Sequence, residues 1–494
     1  MKLSDLLTSI QPTQVLGATD VEIESLCYDS RRAAPGALFF ALKGEKVDGA
    51  QFVPRALERG AVAVVSESAL DLASGTNVVV GDARAAMADL AAHFFGNPSH
   101  GMKVAGVTGT NGKTTTTFLL KHLCDQTFWR CGLIGTVRYD LGGRTISASR
   151  TTPESLDVHE MLSEMRDAGS KSAVMEVSSH ALVQSRVRAV EFDTAIFTNL
   201  TQDHLDYHKT MEAYFEAKTR LFIGLSTQQK KRSAKAVINL DDRYGARLVS
   251  QLDGKTPVVT YGMGARADFR ASNVRMDFGG ASYQLDARSR SYLVRLPLIG
   301  NFNVYNSLAA IAAAHAMGID VRASVLAMAN APSVPGRLQA VPGQRSFKIF
   351  VDYAHTDDAL INVLRTLREL GPARIVTVFG CGGNRDRGKR PRMGKAVDEL
   401  SDFAIVTSDN PRKEDPLAII EDIKPGMQRG AYEVVPDRRA AIFRAVELAR
   451  PRDIILIAGK GHEAYQEFAD QTMPFDDVDV ARAALDAKPI ELES

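Results

Sequence analysis

The sequence predicts an α/β protein of three domains built on mainly parallel sheets, and three observations support this. Short apolar runs alternate with helical patterns along most of the 494 residues, the pattern that parallel strands joined by helices produce. The chain is too long for one hydrophobic core and suggests about three domains. Two breaks, Gly96-Asn97-Pro98 and the Pro- and Gly-rich segment 332–336, divide it. The predicted domains are therefore 1–98, 99–336 and 337–494.

In the first domain, strands are expected at 62–67 (VAVVSE) and 77–82 (NVVVGD). In the second they recur at 103–108 (KVAGVT), 172–177, 193–198 and 236–240. Residues 268–297 alternate apolar and polar positions, which predicts a small antiparallel sheet. The third domain repeats the strand-then-loop pattern at 347–352, 374–379, 403–407 and 453–458, each run ending in a polar, glycine-bearing loop. That regularity predicts a doubly wound, Rossmann-like sheet. Ligands of such sheets bind beyond the carboxyl ends of the strands, where most unusual polar clusters of this chain fall.

Composition excludes several classes. Sixty basic and 59 acidic residues leave a net charge of +1, so the basic surface of a nucleic-acid partner is not expected. The first residues, MKLSDLLTSIQPTQ, carry an acid at Asp5 and no long apolar core, unlike a secretory signal. No run of 18 apolar residues is present, so membrane insertion is not expected. Cys27, Cys124, Cys131 and Cys381 show no metal-ligand spacing and read as buried small hydrophobes in a reducing compartment.

The strongest local signal is Gly109-Thr110-Asn111-Gly112-Lys113-Thr114-Thr115, after a strand and before a helical run. Its glycines let the backbone wrap a phosphate, and the N–H groups opening the helix point at it. Lys113 offers a positive charge to β/γ-phosphates, and Thr114 a hydroxyl to Mg²⁺. Val107 stands where the strict pattern has glycine; this is a variant P-loop-type site and argues against an ordinary kinase or GTPase.

Further clusters resemble the Mur ligase family: MEVSSHAL at 175–182, TNLTQDHLDYH at 198–208, Glu216-Ala217-Lys218, and LIGNFNVYNSLAA at 298–310. The likeness runs from Asp29-Ser30-Arg31 to GKGHEAYQ at 459–466. Within that family it is to the member adding the third peptide residue. The resemblance implies an ATP-dependent ligase that activates a carboxylate as an acyl phosphate and lets an amine displace the phosphate. The implied partners are UDP-N-acetylmuramoyl-L-alanyl-D-glutamate, meso-diaminopimelate and ATP, with two Mg²⁺ ions as cofactors. A cytoplasmic monomer engaged in peptidoglycan precursor synthesis is the expectation.

The resemblance also implies roles for residues. Glu176 would hold Mg²⁺ beside Thr114, and His204 a second Mg²⁺. Lys218 would carry a carbamate, which requires a neutral and therefore shielded amine near positive charge; taken alone, such a lysine is a solvated charge on a helix. Lys113, Glu176, His204 and Lys218 form the expected catalytic set. Asn303, Asn306, Arg337 and Asp352 would join the loop in binding ATP. Ser30 would contact uracil, although the stretch 44–51 after it keeps only the Asp48-Gly49 pair of the family pattern. Thr151, Thr152, Ser178, Gln184 and Arg186 would take the remainder of the UDP-substrate.

Asp409-Asn410-Pro411-Arg412 matches the motif for diaminopimelate, whose distal carboxylate a guanidinium can hold by two parallel hydrogen bonds. Lysine would bring an ammonium there instead and be repelled. Arg385, Gly459 and Glu463 complete the expected amino-acid site. A lysine-adding member, a folylpolyglutamate synthetase-like ligase and, more remotely, a P-loop phosphotransferase or switch are the alternatives. The first two lack a reason for the 409–412 and 459–463 motifs together, and a switch would need no amino-acid acceptor.

Overall fold

The computed structural model describes residues 1–44, 47–127, 129–343 and 345–488; Glu45 and Lys46 of the stretch after Ser30 lie outside them. The chain forms two compact units. One comprises 1–271, 285–292 and 305–327, and the other 272–284, 293–304 and 328–494.

The first unit holds two sheets. Its amino-terminal sheet has the order Gln14–Leu16, Thr76–Val79, Ala61–Ser66, Ala37–Phe40, Ser25–Cys27, parallel except at the first pair. Ala37–Phe40 and Thr76–Val79 are buried at every position, the near-continuous apolar reading of a parallel strand covered on both faces. Asp82 caps the covering helix Ala83–Phe94 by accepting from the Ala85 N–H, one of the donors that a helix leaves open at its start.

The second sheet is centred on Lys103–Thr108, flanked by Ser172–Glu176 and Thr194–Phe197 in parallel. Cys131–Ile134 extends it on one side, and Lys235–Asn239 then Val258–Gly262 on the other. In the centre, Glu176 lies in register with Val107, and Phe197 with Thr108. The register brings the loop after residue 108, Glu176 and the segment after residue 197 to one edge. The predicted hairpin region forms Phe269–Asp277, Gly280–Ala287 and Arg290–Leu296. The first of these continues the parallel sheet through Tyr261↔Phe269.

The sheet of the second unit runs Gln339–Ala340, Lys348–Asp352, Ile454–Ala458, Ile375–Phe379, Phe403–Val406, Tyr432–Val434. All pairs but the first are parallel. Strand order departs from chain order at Ile454–Ala458, and crevices open at such switch points. The carboxyl ends here carry Tyr353, the loop 380–388, Asp409–Arg412 and Gly459–Glu463. Asp357 is the first residue of helix Asp357–Glu369 behind the Thr356 cap. Proline is favoured at that position, and an acid suits the helix dipole there.

All four cysteines are buried and free. Among the described residues no helix is long and apolar enough to cross a membrane.

Candidate active site

The phosphate loop is held by geometry that only glycine permits at two positions. Gly109 has φ +151°, and a Cβ there would lie 1.9 Å from Thr198 Oγ1. Gly112 has φ +85° at the start of helix Lys113–Gln126, and its Cβ would lie 2.4 Å from Asn306 Oδ1. Residues 198–201 anchor the loop from outside. The Thr110 N–H donates to Asn199 O (2.9 Å), the Asn111 N–H to Asn199 Oδ1 (3.0 Å), and Thr198 Oγ1 to Asn111 O (2.6 Å). Lys113 folds back so that Nζ donates to Gly109 O (3.1 Å) and Thr110 O (2.9 Å). Thr115 is buried in the helix's first turn.

Glu176 is 1% exposed, and a buried carboxylate needs compensating donors. Thr114 Oγ1 donates to Oε2 (3.1 Å), the Thr136 N–H to Oε1 (2.8 Å), and Thr136 Oγ1 to Oε2 (3.1 Å). Gly135 makes this approach possible, since a Cβ there would sit 2.7 Å from Oε1. Thr152 Oγ1 donates to the Glu176 carbonyl (2.8 Å) and accepts from the Ser178 N–H (3.1 Å). Ser178 Oγ caps helix Ser179–Val183. Arg186 donates to Thr152 O (2.9 Å) and Gln184 Oε1 (2.6 Å) and lies 3.2 Å from Glu154. Burial lowers its pKa, and Glu154 opposes this. Thr152, Ser178, Gln184 and Arg186 thus adjoin Glu176 as one hydrogen-bonded group, and Thr151 joins it through the Thr136 hydroxyl (3.1 Å).

Lys218 is buried on helix Met211–Leu225. Its Nζ donates to Gly109 O (2.8 Å) and stands 4.6 Å above the centre of the Tyr214 ring. Burial drives its pKa well below the ordinary lysine range; Lys113 adds to this, and Asp203 opposes it. His204 has left-handed backbone (φ +53°) just before helix Leu205–His208. Its ring packs edge-on against His180, with centres 4.9 Å apart, and Nε2 lies 3.4 Å from Asp203 Oδ2. Burial lowers its pKa and Asp203 raises it, while Lys113 and Lys218 lower it further.

Ser30 follows strand Ser25–Cys27 and is buried in the turn Ser30–Arg32 that Asp29 caps. Among the described residues it shares no hydrogen bond with the 151–186 group. Asn306 Oδ1 accepts from Thr116 Oγ1 (3.4 Å), which places it behind the loop. Asn303, one turn earlier on helix Asn301–Met317, is buried, and its Nδ2 donates to Ile299 O (2.8 Å).

In the second unit the 409–412 and 459–463 turns meet through Asn410. Its Nδ2 donates to Glu463 Oε2 (2.8 Å), while its Oδ1 accepts from Lys460 Nζ (2.9 Å) and the Glu467 N–H (3.0 Å). Gly459 has φ +115° and lies against Asp409, where a Cβ would be 2.4 Å from Oδ2. Arg412 Nη1 donates to Gly383 O (3.0 Å), and Nε pairs with Glu467 (2.9 Å). Arg385 is exposed on the loop 380–388 and, among the described residues, makes no hydrogen bond or ion pair. Arg337 stacks over the Tyr353 ring at 5.0 Å. Asp352 accepts from the N–H groups of Leu338 (2.6 Å) and Ala354 (2.8 Å). Burial raises its pKa, with Arg337 opposing.

Several contributors escaped the sequence reading. Thr136 follows a four-residue strand, Cys131–Ile134, too short to stand out. Lys460 lies between Gly459 and Glu463, where a lysine reads as a solvated charge; it is fully buried, and burial lowers its pKa. Arg438 and Asp477 form a fully buried pair (2.7 Å). Arg438 also donates to Ala458 O (3.0 Å) and Ser408 O (3.4 Å), tying together the two strand ends that carry the motifs. No local pattern marks that pair.

Comparison with known proteins identifies the family. Residues 22–95 match the Mur ligase family, catalytic domain; 107–314 the Mur ligase middle domain; and 336–461 the Mur ligase, glutamate ligase domain. The chain belongs to the Mur ligase family. Two relatives, from Solibacter usitatus and Geobacter metallireducens, bear the name UDP-N-acetylmuramoyl-L-alanyl-D-glutamate--2,6-diaminopimelate ligase. Each is 46% identical to this chain, with 98% of both chains covered. A solved structure of a ligase of that name superposes with a TM-score of 0.72 at 35% identity, covering 99% of each chain.

Proposed function

We propose that this chain is an ATP-dependent ligase joining meso-diaminopimelate to the D-glutamate γ-carboxylate of UDP-N-acetylmuramoyl-L-alanyl-D-glutamate. Residues 1–98 serve the UDP end, 99–336 the ATP and 337–494 the incoming amino acid. The observation that carries the reading is the junction at Asn410, which bonds to Lys460, Glu463 and the Glu467 N–H, with Arg412 joined to it through its ion pair with Glu467 and Asp409 packed against Gly459. A nucleotide switch has no use for such a cluster, whereas an amino acid with a charged head at each end does.

In the reaction, a carboxylate oxygen of the D-glutamate attacks the γ-phosphorus of ATP, and ADP leaves. The amine of the amino acid then attacks the acyl carbon; phosphate departs, the nitrogen loses a proton, and an amide remains. Loop N–H groups and Lys113 hold the phosphates, Lys113 exchanging its bonds to the Gly109 and Thr110 carbonyls for phosphate oxygens. Hydroxyls of Thr151, Thr152 and Ser178 and the guanidinium of Arg186 suit the oxygens of the UDP-substrate. Arg412 takes the distal carboxylate of diaminopimelate, and Glu463 its distal ammonium.

The residues fit Mg²⁺. Thr114 Oγ1 and Glu176 Oε2 lie 3.1 Å apart, and a small hard cation favours a hydroxyl, one or two carboxylates and phosphate oxygens. Among the described residues no group of three or more His, Cys, Asp or Glu could hold a metal ion. His204 and Lys218, the latter as a carbamate, would hold a second Mg²⁺. The ions supply positive charge to the phosphate oxygens as negative charge gathers there. A UDP-linked substrate and ATP place the enzyme in the cytoplasm.

The test offers equal meso-diaminopimelate and L-lysine with ATP, Mg²⁺ and the UDP-dipeptide, and weighs the products by mass spectrometry. A diaminopimelate tripeptide with matching ADP is expected. A lysine tripeptide would overturn the role of Arg412 but leave the ligase intact, and ATP hydrolysis without any tripeptide would overturn the ligase.

A further inference from the structure

The Thr136 hydroxyl stands 3.1 Å from Glu176 Oε2 and 3.1 Å from Thr151 Oγ1. A hydroxyl has one proton to donate and lone pairs to accept with, whereas an ionised carboxylate only accepts. The bond to Glu176 therefore fixes the direction of the chain: Thr151 donates to Thr136, and Thr136 donates to Glu176. The backbone repeats the link one residue on, since Thr152 Oγ1 donates to the Glu176 carbonyl. We infer that Thr136 is a positioning residue that relays occupancy of the 151–152 substrate loop to the Glu176 carboxylate. The inference rests on the reading above that residues 151–152 meet the UDP-substrate and that Glu176 serves Mg²⁺.

The relay works through competition for one proton. Substrate oxygens reaching Thr151 are acceptors and take its hydroxyl proton, so Thr136 loses its donor. Hydrogen bonds in series strengthen one another, so the Thr136 bond to Glu176 weakens. The carboxylate then keeps more charge for a cation shared with Thr114. UDP-substrate and Mg²⁺·ATP are thereby made to bind cooperatively, and linkage requires the effect to be mutual. The Thr136 N–H, bonded to Oε1, holds the carboxylate in place while its other oxygen changes partner.

The variants are Thr136→Val, which keeps shape and backbone N–H but removes the hydroxyl, and Thr136→Ser, which restores it. Affinity for a fluorescent ATP analogue is measured by titration, with and without Mg²⁺ and with and without the UDP-dipeptide, and amino acid is omitted so that no turnover contributes. In the parent protein the UDP-dipeptide should tighten Mg²⁺-dependent nucleotide binding, by about fivefold if the coupling is of ordinary size. Thr136→Val should abolish that tightening and leave Mg²⁺-free nucleotide binding unchanged, and Thr136→Ser should retain it. Full coupling in Thr136→Val, or none in the parent, overturns the relay. Glu176→Gln is the separate control: if it leaves Mg²⁺-dependent binding intact, the assignment of Glu176 to Mg²⁺ has failed. Loss of the Mg²⁺ effect in Glu176→Gln with coupling intact in Thr136→Val counts against the relay alone.

Discussion

Activity should depend on CO₂ through Lys218. The carbamate forms when a neutral amine attacks CO₂ and releases a proton, so the neutral fraction governs its formation. A lysine of ordinary pKa, about 10.4, is neutral in roughly one molecule in a thousand near pH 7.4, and each unit of depression multiplies that fraction about tenfold. Lys218 is 1% exposed, and burial and Lys113 hold its pKa well down. Carbamylation should therefore proceed near neutrality and increase as pH rises through the lowered pKa. Degassed, bicarbonate-free enzyme should lose activity and regain it on adding bicarbonate. A ¹³C-bicarbonate sample should show a carbamate resonance that Lys218→Ala lacks. Lys218→Ala should lower kcat by about 10²–10³, the usual cost of one lost charge-stabilising group, and short carboxylates should partly restore it. Activity indifferent to CO₂, with no carbamate resonance in the parent protein, would refute the reasoning.

Other outcomes follow from the same geometry. Arg412→Lys loses the fork that meets Gly383 O and Glu467; KM for meso-diaminopimelate should rise about 10- to 100-fold, as for a lost hydrogen bond to a charged group, with kcat little changed in steady-state assays. Arg438→Met leaves Asp477 buried without its cation and should destabilise the fold by about 3–5 kcal/mol in chemical denaturation; Arg438→Met with Asp477→Leu should recover most of that. His159 is fully buried, its Nε2–H donates to Arg188 O (3.1 Å), and burial lowers its pKa from 6.5 to about 4. The unfolded chain then binds the proton first on acidification, so stability is complete above about pH 6.5 and falls toward pH 4, by about 3 kcal/mol in all. His159→Gln should flatten that part of the melting-temperature profile.

The sequence by itself determined much of the fold and most of the candidate residues. Most of its longer apolar runs became strands within a residue or two at each end, such as 103–108 at Lys103–Thr108 and 453–458 at Ile454–Ala458, whereas the run expected at 77–82 ends three residues early at Val79. A fully buried parallel strand declares itself by unbroken apolar character. Residues 109–115 were legible because glycines, lysine and threonines sit consecutively at a strand-to-helix junction. Short strands such as Gln14–Leu16, Ser25–Cys27 and Arg138–Asp140 were not, since three residues carry too little periodicity. What the tertiary structure alone decided is which distant groups touch. Thr136 becomes a partner of Glu176 across 40 residues, Asn410 of Lys460 across 50, and Arg438 of Asp477 across 39. Such pairs leave no local pattern, because a hydrogen bond or ion pair depends on separation in space, which sheet order and register fix.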